Sequence, residues 1–255
     1  MTEITFFQLT DVGCVRPHNE DAVGAWPHED GMVFAVADGL GGEAAGEVAS
    51  QLALDVLARE LDRAPGSWAV AKRLRRAVHE ANMEIYTKAM TVPELRRMGT
   101  TITSTALVGG TLAAAHVGDT RLYLLRDATL TQLTKDHTWV GEQVGYGLLS
   151  VEEARVHPKR HVLTRCLGHE LIVGVDTLTM DLRPGDVVLQ CSDGVHGLVG
   201  TGELTEILVA HAPEAACRAI IRRGREEGGV DNLSAQVAAV HDCPTPSRPW
   251  WRFGR

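Results

Sequence analysis

Positive charge is scarce in this chain. Twenty-five lysines and arginines face 33 aspartates and glutamates, a formal net charge of −8 over 255 residues. Binding nucleic acid by charge alone needs a basic face, and an anionic membrane surface asks for the same, so neither is expected as a partner. Long apolar runs are also missing; none approaches the roughly 18 residues a spanning helix needs. The opening Met1-Thr-Glu-Ile-Thr-Phe-Phe7 lacks a basic region, an apolar stretch and a small-residue cleavage site, so no leader peptide is expected. Cysteine is sparse and scattered. Cys14, Cys166, Cys191, Cys217 and Cys243 are odd in number, with no Cys-x-x-Cys, which suits neither a disulfide framework nor zinc and fits a reduced cytoplasm. No His-Glu-x-x-His, internal repeat, coiled coil or second domain is evident.

What is present is core. Hydrophobic residues make up 44% of the chain, enough to bury a substantial interior, and the length suits one large domain or two small ones. The run Met32–Ala37 reads as a buried strand entering the tight segment Asp38-Gly-Leu-Gly-Gly42. Apolar residues at four-residue spacing predict a helix from Glu43 to about Leu61, and a second follows Pro65-Gly66 with Ser67 as its cap. From Gly99 the texture becomes that of an antiparallel meander, with Gly109-Gly110 and Asp127-Ala128 as turns. Residues 136–161 are polar and read as a flap, with Ser150 and Glu153 spaced for a capping box. Strands are expected over Ile172–Leu182, Val187–Ser192 and Leu233–Val240, and helices near Gly202–Ala210 and Pro213–Arg223. The order of elements is α+β, with sheets carrying helices outside.

Two apolar strands end in the same dipeptide, Asp38-Gly39 and Asp193-Gly194. Asp231 precedes the last strand and Asp119 occupies a turn of the meander. Any one Asp-Gly reads as a turn. Together the carboxylates carry more weight, because acidic groups gathered on rigid strand ends repel one another unless a cation neutralises them. Hard divalent ions such as Mg²⁺ and Mn²⁺ take carboxylate, carbonyl and water ligands. Gly39, Gly41 and Gly42 allow close backbone approach to such an ion. Arg16, near Glu20 and Asp21, reads either as a surface ion pair or as a fork for phosphate oxygens. His157 and His161 read as surface residues of the flap, and Cys191 as core.

In order along the chain stand Arg16-Pro-His-Asn-Glu20-Asp21, Asp38-Gly39-Leu-Gly-Gly42, Gly99-Thr-Thr101, Gly118-Asp119-Thr-Arg121, Ser192-Asp193-Gly194 and Asp231-Asn232. This set, over roughly Gln8 to His241, resembles the metal-dependent protein phosphatases, the PPM or protein phosphatase 2C-like family, in its bacterial form. The resemblance implies a four-layer α/β/β/α sandwich of two antiparallel sheets flanked by helix pairs. It implies a catalytic domain over 1–242 and a Pro/Trp-rich tail over 243–255. It further implies two Mn²⁺ or Mg²⁺ ions bridged by Asp38, with Asp193 and Asp231 on one and the Gly39 carbonyl on the other. By the same resemblance Glu20 holds metal-bound waters, Asp21 supports Arg16 and the metal site, Asn232 is a supporting residue, and Asp119 serves a third, weaker ion. The implied reaction is in-line attack of a metal-bridging hydroxide on phosphoserine or phosphothreonine, with Arg16 on the phosphate oxygens.

Three positions depart from the pattern. Leu40 stands where many eukaryotic relatives carry a histidine proposed as general acid, so a water must protonate the leaving alcohol. Glu43 replaces a histidine common in bacterial relatives, and Thr120 a serine. None of these removes an implied ligand. An inactive phosphoprotein-binding module of the same fold is the alternative reading, and a small-molecule phosphatase a third. The intact acidic set favours the enzyme. A cytoplasmic monomer acting on phosphorylated proteins, opposite a serine/threonine kinase and its substrates, is expected.

Overall fold

The computed structural model describes residues 1–42 and 44–244. Glu43, and the expected tail from residue 245 on, lie outside the described residues.

Two strands, β1 (Glu3–Asp11) and β2 (Asp21–His28), precede β3 (Gly31–Leu40), which contains the apolar run Met32–Ala37. That run lacks alternation because both its faces are covered: Val33, Ala35 and Ala37 point to a helical layer and Phe34 to a second sheet. Helices α1 (Ala44–Arg63) and α2 (Val70–Thr91) follow. The expected cap at Ser67 is not formed; Ala69 holds that position without a side-chain bond, while Trp68 closes a turn on Pro65. The meander comprises β4 (Gly99–Thr100), β5 (Ile102–Val108), β6 (Thr111–Val117), β7 (Arg121–Arg126) and β8 (Thr129–Gln132). Both expected turns are present, and Asp127 and Ala128 adopt the left-handed φ values of 51° and 59° that a twisted two-residue hairpin demands.

Residues 136–164 leave the meander and return to it. They carry α3 (Trp139–Gly145), capped by Thr138, and α4 (Val151–Val156), whose capping box of Ser150 and Glu153 is formed. Trp139 N donates to Val162 O and Thr164 N to His137 O, closing the neck. The chain continues through β9 (Asp176–Asp181), β10 (Val187–Cys191), α5 (Asp193–His196), α6 (Thr201–Ala210), α7 (Pro213–Glu226) and β11 (Leu233–Asp242). β9 begins four residues later than the expected Ile172. The preceding carbonyls of Glu170 and Leu171 accept from the Asn82 amide instead of joining a ladder.

The strands form two antiparallel sheets, β1-β11-β10-β7-β8 and β2-β3-β5-β6-β9, with β4 paired to β3. Three apolar layers separate four structural ones. Leu57, Leu74 and Ile85 fill the space between α1–α2 and one sheet, and Leu204, Cys217 and Ile220 that between α6–α7 and the other. Phe34, Leu107, Leu122 and Val188 lie between the sheets. The α/β/β/α sandwich is therefore formed, with Cys191 fully buried as core.

Candidate active site

Both sheets end at one edge of the sandwich, and the acidic residues arrive there from each. Asp38, near the end of β3, lies in antiparallel register with Asp21 at the start of β2. The main chain of Asp38 is fixed on both sides. Its carbonyl accepts from Thr101 N at 2.9 Å and from Thr100 Oγ1 at 2.8 Å, and its N–H donates to Thr101 Oγ1 at 3.1 Å. A Cβ at Gly39 would overlap the carbonyl oxygens of Gly46 and Glu20, and one at Gly46 would overlap the Glu20 carboxyl. Glycine at both places lets α1, β3 and the Glu20 loop pack backbone to backbone.

Asp193 opens α5 directly after β10, and Asp231 immediately precedes β11. Their strands are locked by Ser192 N donating to Ser234 O at 3.1 Å and Ser234 N to Ser192 Oγ at 3.0 Å. Asp119 sits in the turn between β6 and β7, buried. Its carbonyl lies 2.9 Å from a ring nitrogen of His196 on α5, and Gly118 N donates to His137 Nδ1 at 3.0 Å. The turn carrying Asp119 is thus tied both to α5 and to the base of the flap.

The electrostatics are those of an acidic cluster short of positive charge. Burial, then the nearby Asp193, Asp21 and Asp119, push the Asp38 carboxyl well above the usual range. Burial and Asp193 do the same to Asp119. Asp193 goes the other way: burial opposes its ionisation, but hydrogen bonding from His161, the field of His196 and a hydrogen bond with Asp38 prevail. Carboxyl groups this close oppose one another's ionisation, and a divalent cation relieves that opposition. All the donors here are hard oxygens, which fits a divalent ion such as Mg²⁺ or Mn²⁺ and not a soft metal. Among the described residues no three His, Cys, Asp or Glu side chains close into a cage.

Arg16 is exposed at the rim, and its Nη2 donates to Asp231 Oδ2 at 2.8 Å. The expected support of Arg16 by Asp21 is not made. The Asp21 carboxylate is buried and accepts from Ser234 Oγ at 2.6 Å, with Ser192 beside it; burial outweighs both bonds and raises it to about 7. It faces into the strand ends, where a short side chain starting β2 cannot reach the rim. Asn232 holds the rim instead: its amide donates to Val12 O and His18 O, each at 3.0 Å, and accepts from Glu20 N at 2.8 Å. Glu20 is half-buried, its carboxyl raised by burial against the pull of Arg16.

Two histidines join this site without having been singled out for it. His161, read from sequence as a flap surface residue, is exposed but brings Nδ1 to 3.7 Å from Asp193 Oδ2. His196 sits under Asp119. His157 stacks on Trp139 in the flap and stays away. No local pattern marks His161; the fold-back of the flap places it.

Comparison with known proteins agrees with this geometry. The family model for protein phosphatase 2C matches residues 16–238. The chain is 43% identical over 236 residues to the serine/threonine protein phosphatase PstP of Mycobacterium tuberculosis, covering 91% of this chain but only 44% of that protein's length. It is 36% identical over 230 residues to the serine/threonine phosphatase stp of Listeria monocytogenes, covering 88% of this chain and 91% of the relative. The crystal structure of the PstP catalytic domain in complex with two manganese ions superposes with a TM-score of 0.84 at 37% identity, covering 95% of this chain and 100% of that one.

Proposed function

Because this chain belongs to the protein phosphatase 2C family, we propose that it is a metal-dependent serine/threonine protein phosphatase, hydrolysing phosphoserine and phosphothreonine in proteins. The observation that carries the reading is the gathering of the part-buried Asp38 and Asp193 with the buried Asp119 and Asp21 where the strands of both sheets end, close enough for each to act on the ionisation of its neighbours. Two Mn²⁺ or Mg²⁺ ions, with a third more weakly held, would be carried by Asp38 between them, Asp193, Asp231, the Gly39 carbonyl, Glu20 through waters, and Asp119. When bound, such ions neutralise the cluster and supply a hydroxide nucleophile at neutral pH.

The remaining work belongs to side chains. Arg16 has five N–H donors and spends one bond on Asp231, which leaves its fork for phosphate oxygens. Asn232 keeps the Arg16–Glu20 loop over the site by bonding its backbone at His18 and Glu20, and the preceding chain at Val12. Asp21, anchored on Ser192 and Ser234, acts from beneath by holding β2 against β10 and β11 and adding negative charge near Asp38. Leu40 offers no proton, so the leaving alcohol takes one from water.

No helix among the described residues is long and apolar enough to cross a membrane. Five free cysteines support placement in a reducing cytoplasm, and we assign the chain as a monomer opposing a serine/threonine kinase on shared substrates. The test is hydrolysis of a phosphothreonine peptide with Mn²⁺, with EDTA, and by Asp38→Asn. Turnover that requires Mn²⁺ and is lost in the variant supports the assignment. A folded, Mn²⁺-loaded wild type no faster than Asp38→Asn overturns the protein phosphatase assignment and puts the phosphoprotein-binding module in its place.

A further inference from the structure

A groove of about 540 Å³ runs between β1 and α7, away from the carboxylate cluster. Leu9, Ile221 and the exposed Cys14 line it with apolar surface. Arg218, Arg222 and Arg225, with Glu226 at one end, line it with charge; the arginine spacings of four and three residues put them on one face of α7. The groove starts at the rim of the site. Cys14 N donates to Gly229 O at 2.7 Å, and from that bond Arg16 and Asp231 are each two residues away along the chain. Arg225 stands at this end, paired with Asp11, and Arg218 lies two turns further off, roughly 10 Å along the helix axis.

Four arginines fall within eight residues of a chain of net charge −8, and three of them, Arg218, Arg222 and Arg225, line the groove. Arg222 is the loosely paired one, 3.8 Å from Glu226 with its side chain 74% exposed; Arg218 donates to Glu214 Oε1 at 2.9 and 3.1 Å, and both of those side chains are also exposed. Exposed pairs of this kind contribute little and exchange readily for an incoming carboxylate. Arg218 is also set over the Phe7 ring at 5.3 Å, which steadies its guanidinium beside the groove. An extended peptide advances about 3.3 Å per residue, so the arginine row matches roughly three residues of ligand.

We propose that this groove binds an acidic stretch of the phosphoprotein substrate, with aspartate or glutamate side chains on Arg218 and Arg222, and so selects substrates by the sequence flanking the phosphorylated residue. The inference rests on the phosphatase assignment and names a specificity determinant for it. The Leu9 and Ile221 surface takes the aliphatic parts of the same peptide.

The test uses the whole Mn²⁺-loaded chain and phosphothreonine peptides with three glutamates on the N-terminal side or on the C-terminal side. Glutamine versions and p-nitrophenyl phosphate serve as controls. One glutamate peptide should exceed its glutamine counterpart in kcat/KM by roughly five- to twentyfold, through KM, as expected for two exposed pairs acting together. Arg218→Ala/Arg222→Ala should abolish that preference while cleaving the glutamine peptides and p-nitrophenyl phosphate at the wild-type rate. Fluorescence polarisation with the unphosphorylated glutamate peptide should show binding to wild type that the double variant and 300 mM salt remove. No preference for either glutamate peptide, or one that survives the double substitution, overturns the assignment of the groove. Peptide binding without hydrolysis of any substrate overturns the phosphatase reading instead and leaves the groove as a binding site for acidic segments.

Discussion

Arg16 and Asp231, 215 residues apart in the chain, are joined by a 2.8 Å bond from Nη2 to Oδ2 at the rim of the acidic cluster. The pair fixes where the guanidinium sits before any phosphate arrives. Charge-assisted bonds of this sort contribute about 1.5–3 kcal/mol, and each 1.4 kcal/mol is a factor of ten. Arg16→Ala is expected to lower kcat/KM for a phosphothreonine peptide by roughly ten- to hundredfold. Mn²⁺ affinity, measured by titration calorimetry, should change little, because Asp231 stays in place. A variant that instead loses its metal would show that Arg16 acts on the ligand set and not on the phosphate.

Asp193 and Asp38 hold their carboxyl groups together at a cost that a cation removes. Function and metal-free stability therefore pull in opposite directions. In EDTA, Asp38→Asn should raise the melting temperature, since it removes the carboxyl whose ionisation the fold opposes, and relief of about 1 kcal/mol corresponds to roughly 2–4 °C in a domain of this size. In Mn²⁺ the order should reverse. Wild type gains stability as ions bind the folded state alone, about 2.7 kcal/mol at one hundred times Kd, and the variant does not. Calorimetric melting in the two buffers checks both signs. A metal-free melting point below wild type would mean that the Asp38 carboxyl has a structural partner outweighing the repulsion.

Deeper in the fold, His116 is a neutral imidazole. Burial first, then the adjacent His137, lower it from 6.5 to about 4, against the opposing pull of Asp136 and Asp176. Its Nδ1 lies 2.9 Å from Thr103 Oγ1 and its Nε2 3.1 Å from Lys135 O, so the ring ties β5 to the entry of the flap. With the folded value depressed, the unfolded chain binds one more proton between these limits. The stability that depends on the neutral ring is complete above about pH 6.5 and is lost as pH falls toward 4, with a slope approaching 1.36 kcal/mol per unit. Denaturant unfolding at pH 7, 6 and 5 should show this slope in wild type. It should be shallower by about one proton in His116→Gln, while an unchanged slope would assign the acid sensitivity elsewhere.

The elements with a strong local signature were legible from sequence. The continuous apolar run of β3, the Gly109-Gly110 hairpin and the Ser150–Glu153 capping box each depend on a few adjacent residues. Asp38 and Asp193 were marked for the same reason, as each follows an apolar strand directly. β2 was not expected, because Pro27 and Gly24 break its pattern; an edge strand tolerates both since one side forms no ladder. The partners of Asp21 and the approach of His161 to Asp193 depend on how distant segments meet, and no spacing along the chain encodes that. Ser67 had the right chemistry for a cap but was drawn into the turn closed by Trp68.

Between the sheets lies a polar seam that a sandwich core does not require. Thr105 Oγ1 donates to Gln190 Oε1 at 2.6 Å, and Gln190 Nε2 to Gln236 Oε1 at 2.9 Å. Gln236 Nε2 then donates to Gln8 Oε1 at 2.8 Å and Gly24 O at 3.0 Å. Every link joins strands, and Gln190 and Gln236 are fully buried, so no water can take over a lost bond. Gln236→Leu would leave one Gln190 amide N–H without an acceptor, the other staying on Thr103 O, and would take a donor from the Gly24 carbonyl. At about 1–3 kcal/mol per orphaned group, a loss of roughly 2–4 kcal/mol is expected in denaturant unfolding. Gln236→Leu/Gln190→Leu should cost less than the sum of its two single changes, since the second removes a donor the first has orphaned. Strict additivity would show that the two side chains do not act as one chain of bonds. The sheets would then be held in register by Phe34, Leu107, Leu122 and Val188 alone.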